Sequence, residues 1–169
     1  MKSGTQHNTP DRKFSNDDLE NAFKNVSEIF GADVARTVEK MYRKETANFT
    51  SGQFKKTFSA GMEISSKVAE KGEPFVFPYG WSSLEKFLTK YPQYNGTFYT
   101  VTFIKGENKT GKTKTFIGFP TLESAIAFLA YRIDALNKAG KHAGYWRSTV
   151  PEVADRYFGT LKAFKTTFT

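Results

Sequence analysis

Apolar side chains recur at helical spacing through most of this chain and at strand spacing in one stretch only. Residues 1–14 are polar and unpatterned and read as a disordered tail, so residues 15–169 form the candidate domain. Ser15 has the side chain of an N-cap, and Leu19, Ala22, Phe23, Val26, Ile29 and Phe30 then share one helical face until Gly31 ends the pattern. A second helix is expected behind Asp33 as its cap, with Val34, Val38, Met41 and Tyr42 turned inward. Ser82-Ser83-Leu84-Glu85 is a capping box ahead of Phe87, Leu88 and Tyr91, and Pro92 stops that helix. Behind Thr121, Leu122, Ile126, Leu129, Ile133 and Leu136 form one seam while Phe128 and Tyr131 supply a second. A helix that is apolar on two faces belongs at the buried centre of a domain. A last helix opens with the box Thr149 to Glu152, carries Pro151 in its first turn, and turns Val153, Tyr157, Leu161 and Phe164 inward.

The one strand signal is Thr97-Phe98-Tyr99-Thr100-Val101-Thr102-Phe103, with Lys114-Thr115-Phe116-Ile117 placed to pair back on it across a Gly-, Asn- and Lys-rich turn. The pattern therefore predicts a mainly α (α+β) domain with one β-hairpin. The hairpin turn, Gly106 to Thr113, satisfies the phosphate-loop pattern G-x-x-x-x-G-K-[ST]. A phosphate cradle needs the loop to run into a helix whose free N–H groups face the anion. Here a strand follows, so the match reads as a solvated basic hairpin tip carrying Lys105, Lys109, Lys112 and Lys114.

Composition narrows the chemistry. At 169 residues the chain is one domain, and burial of about 70% of the unfolded surface supports a core without staples. Absence of cysteine excludes disulfide scaffolds, thiolate metal sites and cysteine nucleophiles, and two histidines leave no His-rich metal site. No metal or cofactor is expected. The longest apolar run, Ala125 to Tyr131, is too short for a membrane span, and the first residues have no signal-peptide core. The net charge of +8 favours a polyanion: nucleic acid, anionic membrane or wall polymer. A nucleic-acid module would gather Lys and Arg on one face with aromatics between them. This sequence spreads its basic residues through the tail, the hairpin and several helix faces, so no nucleic-acid partner is expected, although that class stays open as the alternative.

Glu45 is the residue out of place. It follows Val38 by seven positions, Met41 by four and Tyr42 by three, which sets it on the inward stripe near the end of its helix. Burial and the negative end of the helix dipole both disfavour a charged carboxylate there, and a protonated carboxyl is what a general acid requires. On periodicity alone a second placement competes, in which Glu45 turns to the rim and pairs with Arg43 or a lysine.

Arg43-Lys44-Glu45-Thr46-Ala47-Asn48-Phe49, followed by Ser59-Ala60-Gly61-Met62-Glu63, resembles the active-site region of the lysozyme-like superfamily, in particular lytic transglycosylases and goose-type lysozymes. That family carries Arg-x-Glu-Ser at a helix end and then Gly-Leu-Met-Gln. Glu45 stands at its acid, Thr46 at its serine, Met62 at its methionine and Glu63 at its glutamine. Ala130-Tyr131, Trp146 and Tyr157 resemble its later aromatic positions. Ser51, Gln53, Pro78-Tyr79-Gly80-Trp81 and Tyr145-Trp146-Arg147-Ser148-Thr149 are similar to small peptidoglycan-degrading proteins of phages. The likeness spans about residues 30 to 165.

The resemblance implies a lysozyme-like helical domain that cleaves the MurNAc-GlcNAc backbone with Glu45 as acid and then base. It implies a substrate groove including Thr46, Ser51, Gln53, Gly61, Met62, Glu63, Tyr79, Trp81 and Tyr157. A hydrolase uses two carboxylates about 5–9.5 Å apart, whereas a transglycosylase needs one. Glu73, Glu85 and Asp134 read as structural, and Glu63 reads either as a base or as a helix N-terminal carboxylate, so both chemistries stay open. The expected partner is peptidoglycan glycan strands, with electrostatic contact to the anionic bacterial envelope, and the expected state is a monomer. Without a signal peptide the protein is expected to be made in the host cytoplasm and to reach the periplasmic wall by a separate route or inside a virion. A catalytically inactive structural virion protein of the same fold is the remaining alternative.

Overall fold

The computed structural model describes residues 2–6, 10–64, 82–104, 113–140 and 151–169. In chain order the elements are β1 (Lys2–Gln6), α1 (Asn16–Phe30), α2 (Ala32–Glu45), α3 (Gly52–Thr57), β2 (Glu63–Ile64), α4 (Ser82–Lys90), a 3-10 turn (Pro92–Tyr94), β3 (Thr97–Ile104), β4 (Thr113–Gly118), α5 (Leu122–Lys138) and α6 (Pro151–Leu161). The protein is mainly α with a small sheet, as the pattern predicts.

The capping residues act where the sequence places them in two of the helices. Ser15 accepts from the Asp18 N–H while Asp18 returns a bond to the Ser15 N–H, and Thr121 and Ser124 do the same for α5. At α2 the expectation fails. Gly31, at φ +96°, ends α1 and begins α2 by itself, which leaves Asp33 inside the first turn, paired with Arg36. A one-residue joint leaves no position for a side-chain cap, and glycine is the residue that takes that backbone angle without a steric penalty.

α5 is the centre of the core. Every residue from Ser124 to Ala130 is buried, and α1 and α2 both pack against the helix. Leu19, Phe23, Val26, Val38, Met41 and Tyr42 close the α1–α2 side, while Phe87, Tyr94 and Phe119 close the other around Phe128. Each large side chain withdrawn from water in this way contributes about 1.5–3 kcal/mol. Tyr94 is a buried member of this packing.

The hairpin is the middle of a larger sheet, of order β1-β3-β4-β2. β3 and β4 pair antiparallel from Tyr99 opposite Gly118 to Ile104 opposite Thr113. The Lys114–Ile117 segment is thus the returning strand that the phosphate-loop argument requires, and the turn itself lies outside the described residues. β2 adds antiparallel to β4, with Glu63 opposite Phe116, which corrects the reading of Glu63 as a helix N-terminal residue. The tail is also corrected. Lys2–Gln6 pairs parallel to β3, Lys2 opposite Thr97, and Arg12 donates to the Tyr99 hydroxyl and to the Phe119 and Pro120 carbonyls. Strand addition through main-chain groups needs no apolar alternation, so the sequence of β1 carries no signal for it. Tyr99 lies flat over Gly118, where a Cβ would stand 2.0 Å from its Cε2, and its hydroxyl donates to the Lys56 carbonyl at 2.7 Å. These bonds fasten α3 to the sheet.

Candidate functional site

Glu45 is the last residue of α2 and is half-buried. The fully buried carboxylate of this helix is Glu39, which is 0% exposed. Its Oε2 accepts from Arg43 Nε and from the Thr167 N–H, each at 2.8 Å, and its Oε1 accepts from the Phe168 N–H at 3.0 Å and the Thr169 hydroxyl at 2.9 Å. Arg43 also donates to the Thr167 hydroxyl at 2.6 Å. The sequence offered Glu39 and Arg43 only as an i,i+4 pair, which ordinarily marks a solvent face. The groups that bury it lie about 130 residues further along the chain.

Beyond Glu45 the chain enters a left-handed turn, with φ of 50° at Ala47, 57° at Asn48 and 66° at Phe49. Such angles cost an L-residue about 1–2 kcal/mol each, least for asparagine, so the run costs about 3–6 kcal/mol. The other two helices with a described glycine at their end, α1 and α5, avoid this cost with Gly31 at φ +96° and Gly140 at φ +68°. The offset here comes from Phe49, which is 6% exposed and meets the rings of Phe23, Tyr42, Phe54 and Phe168 at centroid distances of 6.2, 6.1, 5.6 and 6.2 Å. Its burial contributes about 1.5–3 kcal/mol, and each aromatic contact about 0.5–1.5 kcal/mol more. Cost and offset are of similar size, so the turn depends on those neighbours.

Thr46 joins the helix to the turn. It is 1% exposed, its hydroxyl donates to the Tyr42 carbonyl at 2.5 Å and accepts from the Phe49 N–H at 2.8 Å, and its own carbonyl accepts from the Thr50 and Ser51 N–H groups. Thr46 is therefore a turn-forming residue and not the substrate contact expected of it. Ser51 caps α3 by accepting from the Phe54 N–H at 3.2 Å. Phe58, another left-handed residue at φ 61°, closes α3, and the Arg12 guanidinium lies 3.9 Å above its ring. Arg43 covers Phe49 in the same way at 5.2 Å. The Tyr42 hydroxyl donates to the Phe58 carbonyl at 3.0 Å, which ties the end of α2 to the segment leading to β2. Burial pushes the Tyr42 hydroxyl well above the usual tyrosine range.

The other expected groove residues are spread over several elements. Gln53 and Gly61 lie together: Gly61 is at φ +99°, and a Cβ there would stand 3.4 Å from Gln53 Nε2. Met62 is buried and its carbonyl accepts from the Ile117 N–H at 2.9 Å, which makes it a core residue just ahead of β2. Tyr157 of α6 is buried beside the end of α2, with Lys44 Nζ 4.4 Å from its ring centroid, one residue before Glu45. Tyr131 packs with Phe87 and Tyr91. Glu85 is exposed, and Asp134 pairs with Lys138 at 2.9 Å. Tyr79, Trp81, Glu73, His142, Trp146 and the Lys105, Lys109 and Lys112 run lie outside the described residues. Among the described residues there is no cluster of side chains that would hold a metal ion, and no helix is long and apolar enough to cross a membrane.

No protein-family model, no curated protein and no solved structure matches this chain.

Proposed function

We propose that this chain is a peptidoglycan-degrading glycosidase of the lysozyme-like kind, a lytic transglycosylase or muramidase acting as a phage endolysin or virion-associated lysin, with Glu45 as its general acid and base. The observation that carries the reading is the setting of Glu45: a half-buried carboxylate on the last residue of a helix, with three strained left-handed residues beginning two positions further on, after Thr46. Strain of this kind collects at functional sites, where the surrounding fold over-determines it. Tyr157 beside Lys44 adds an aromatic wall from the last helix at the same end of α2.

In the proposed reaction the Glu45 carboxyl gives its proton to the glycosidic oxygen between MurNAc and GlcNAc as the C1–O bond breaks. The resulting carboxylate then takes a proton from the incoming nucleophile as the new bond to C1 forms. With the sugar's own C6 hydroxyl as nucleophile the product is a 1,6-anhydro ring, and with water it is a reducing end. The first route needs one carboxylate and the second normally needs two. Glu63 on β2 is the candidate for a second.

The test is digestion of purified Gram-negative sacculi by wild type and Glu45→Gln, with the fragments read by mass spectrometry. We expect at least a hundredfold loss of released muropeptides in the variant, since general acid catalysis contributes about 10²–10⁴. Anhydro ends would assign transglycosylase chemistry and reducing ends hydrolysis. Equal digestion by both proteins would remove Glu45 from the mechanism. No digestion by wild type, together with salt-sensitive retention on DNA, would replace the reading with nucleic-acid binding.

A further inference from the structure

We infer that residues 167–169, seated on the Glu39 carboxylate, are a positioning strap for the strained turn that follows Glu45. The inference rests on the reading of Glu45 as proton donor. One set of bonds fixes the strap on Glu39, and two routes lead from it to the turn, through Arg43 and through the Phe168 ring. The main-chain N–H groups of Thr167 and Phe168 and the Thr169 hydroxyl all point at one buried carboxylate, so the strap is fixed by direction as well as by contact. Arg43 is used at both ends: its guanidinium bonds Glu39 and the Thr167 hydroxyl, while its carbonyl accepts from the Asn48 N–H at 2.9 Å, the middle residue of the turn. The Phe168 ring stacks on Phe23 at 5.8 Å with an interplanar angle of 2° and meets Phe49 edge-on at 6.2 Å, while the Arg43 guanidinium stands over both Phe49 and Phe168.

Phe49 is the left-handed residue with the bulkiest side chain in the run, and its seat is what offsets the strain. Phe168 is one wall of that seat, and it comes from a segment with no helix or strand of its own. Removing the wall releases Phe49, lets the turn relax and frees the end of α2 that carries Glu45. Glu39 and Phe168 are thus positioning residues that act through Arg43 and Phe49, outside the reacting groups themselves.

The experiment compares the full chain with Phe168→Ala and Phe168→Tyr by amide hydrogen exchange and by sacculus digestion. In Phe168→Ala, exchange at residues 46–51 should rise at least tenfold while the α5 amides keep their protection. The turnover number should fall at least tenfold with KM changed less than twofold, and Phe168→Tyr, which keeps the ring, should restore both. Unchanged protection at 46–51 would overturn the strap whatever the activity, and so would a uniform loss across α1 and α5, which would mark an ordinary stability defect. Selective exchange at 46–51 with normal turnover would overturn the positioning role. Selective exchange in a chain whose wild type digests nothing would support the strap while removing the glycan-cleaving reading.

Discussion

Replacing Glu39 by glutamine keeps the size and shape of the side chain and changes one oxygen into a donor, which makes it a sharp probe of the buried carboxylate. Both oxygens of Glu39 face donors only or nearly so: Oε2 meets Arg43 Nε and the Thr167 N–H at 2.8 Å, and Oε1 meets the Phe168 N–H at 3.0 Å and the Thr169 hydroxyl at 2.9 Å. A hydroxyl can turn to accept, but a main-chain N–H cannot. Whichever oxygen becomes NH2, one amide N–H therefore faces another donor, and Arg43, with its side chain 15% exposed, loses its counter-charge. A hydrogen bond to a charged group contributes about 1.5–3 kcal/mol, and breaking a buried ion pair from one side costs about 3–5 kcal/mol. The strap can relieve part of this by lifting into water, so the expected loss is at the lower end, about 3 kcal/mol. At about 2–4 °C per kcal/mol in a domain of this size, the melting temperature should fall by about 6–12 °C. Urea unfolding followed by circular dichroism measures the free energy directly. Glu45→Gln, which alters a half-buried side chain, should cost less than about 1 kcal/mol in the same assay. A Glu39→Gln protein within about 1 kcal/mol of wild type would refute the reasoning, because it would mean that four inward-pointing bonds contribute nothing.

Two further outcomes follow from the turn and from the buried tyrosines. Ala47→Gly should stabilise the protein by about 0.5–1 kcal/mol in urea unfolding, since it removes the left-handed cost of an exposed residue at φ 50° and loses only a methyl group; a loss of about 1 kcal/mol, the usual result in a helix interior, would show that the residue is not left-handed in solution. Burial raises the hydroxyls of Tyr42, Tyr94 and Tyr99, so the folded state holds those protons more tightly than the unfolded chain; their contribution is complete below pH 10 and declines as pH rises above it, and ultraviolet titration should show the three ionising above the pH of free tyrosine, Tyr42 last. Their ionisation at the pH of free tyrosine, in a protein that keeps its circular dichroism, would contradict this.

Much of the helical layout was legible because local chemistry and periodicity agree there. Ser15, Gly31 and Thr121 end or begin helices for reasons confined to a few neighbouring residues, and the two-faced apolar pattern of α5 belongs to its central position. The hairpin was legible for the same reason. What the sequence concealed depends on partners far along the chain. β1 joins the sheet through backbone groups alone, and Arg12 is tied to residues that follow it by 87 to 108 positions. Glu39 looks like a surface i,i+4 partner until residues 167–169 cover it. Glu45 was legible as unusual by spacing, but the left-handed turn behind it was not, since the side chains of Ala47, Asn48 and Phe49 give no glycine signal for such a turn. Thr46 was legible as a hydroxyl at a motif position, and its commitment to Tyr42 and Phe49 was not.

The seat of residues 167–169 on Glu39 also bears on the order in which the molecule assembles. The bonds it makes close a loop of about 130 residues, so the entropy of bringing its ends together is spent before any of those bonds can form. Helices α1 and α2, adjacent in sequence and joined by a single glycine, can pair long before that closure. The strap should then dock late, on a core already in place, with its interactions absent from the folding transition state, which a φ-value near zero for Phe168→Ala would show. Contacts of that kind govern how slowly a protein comes apart and have little influence on how fast it forms. Glu39 is thus a lock on the unfolding rate, set by the part of the chain that arrives last.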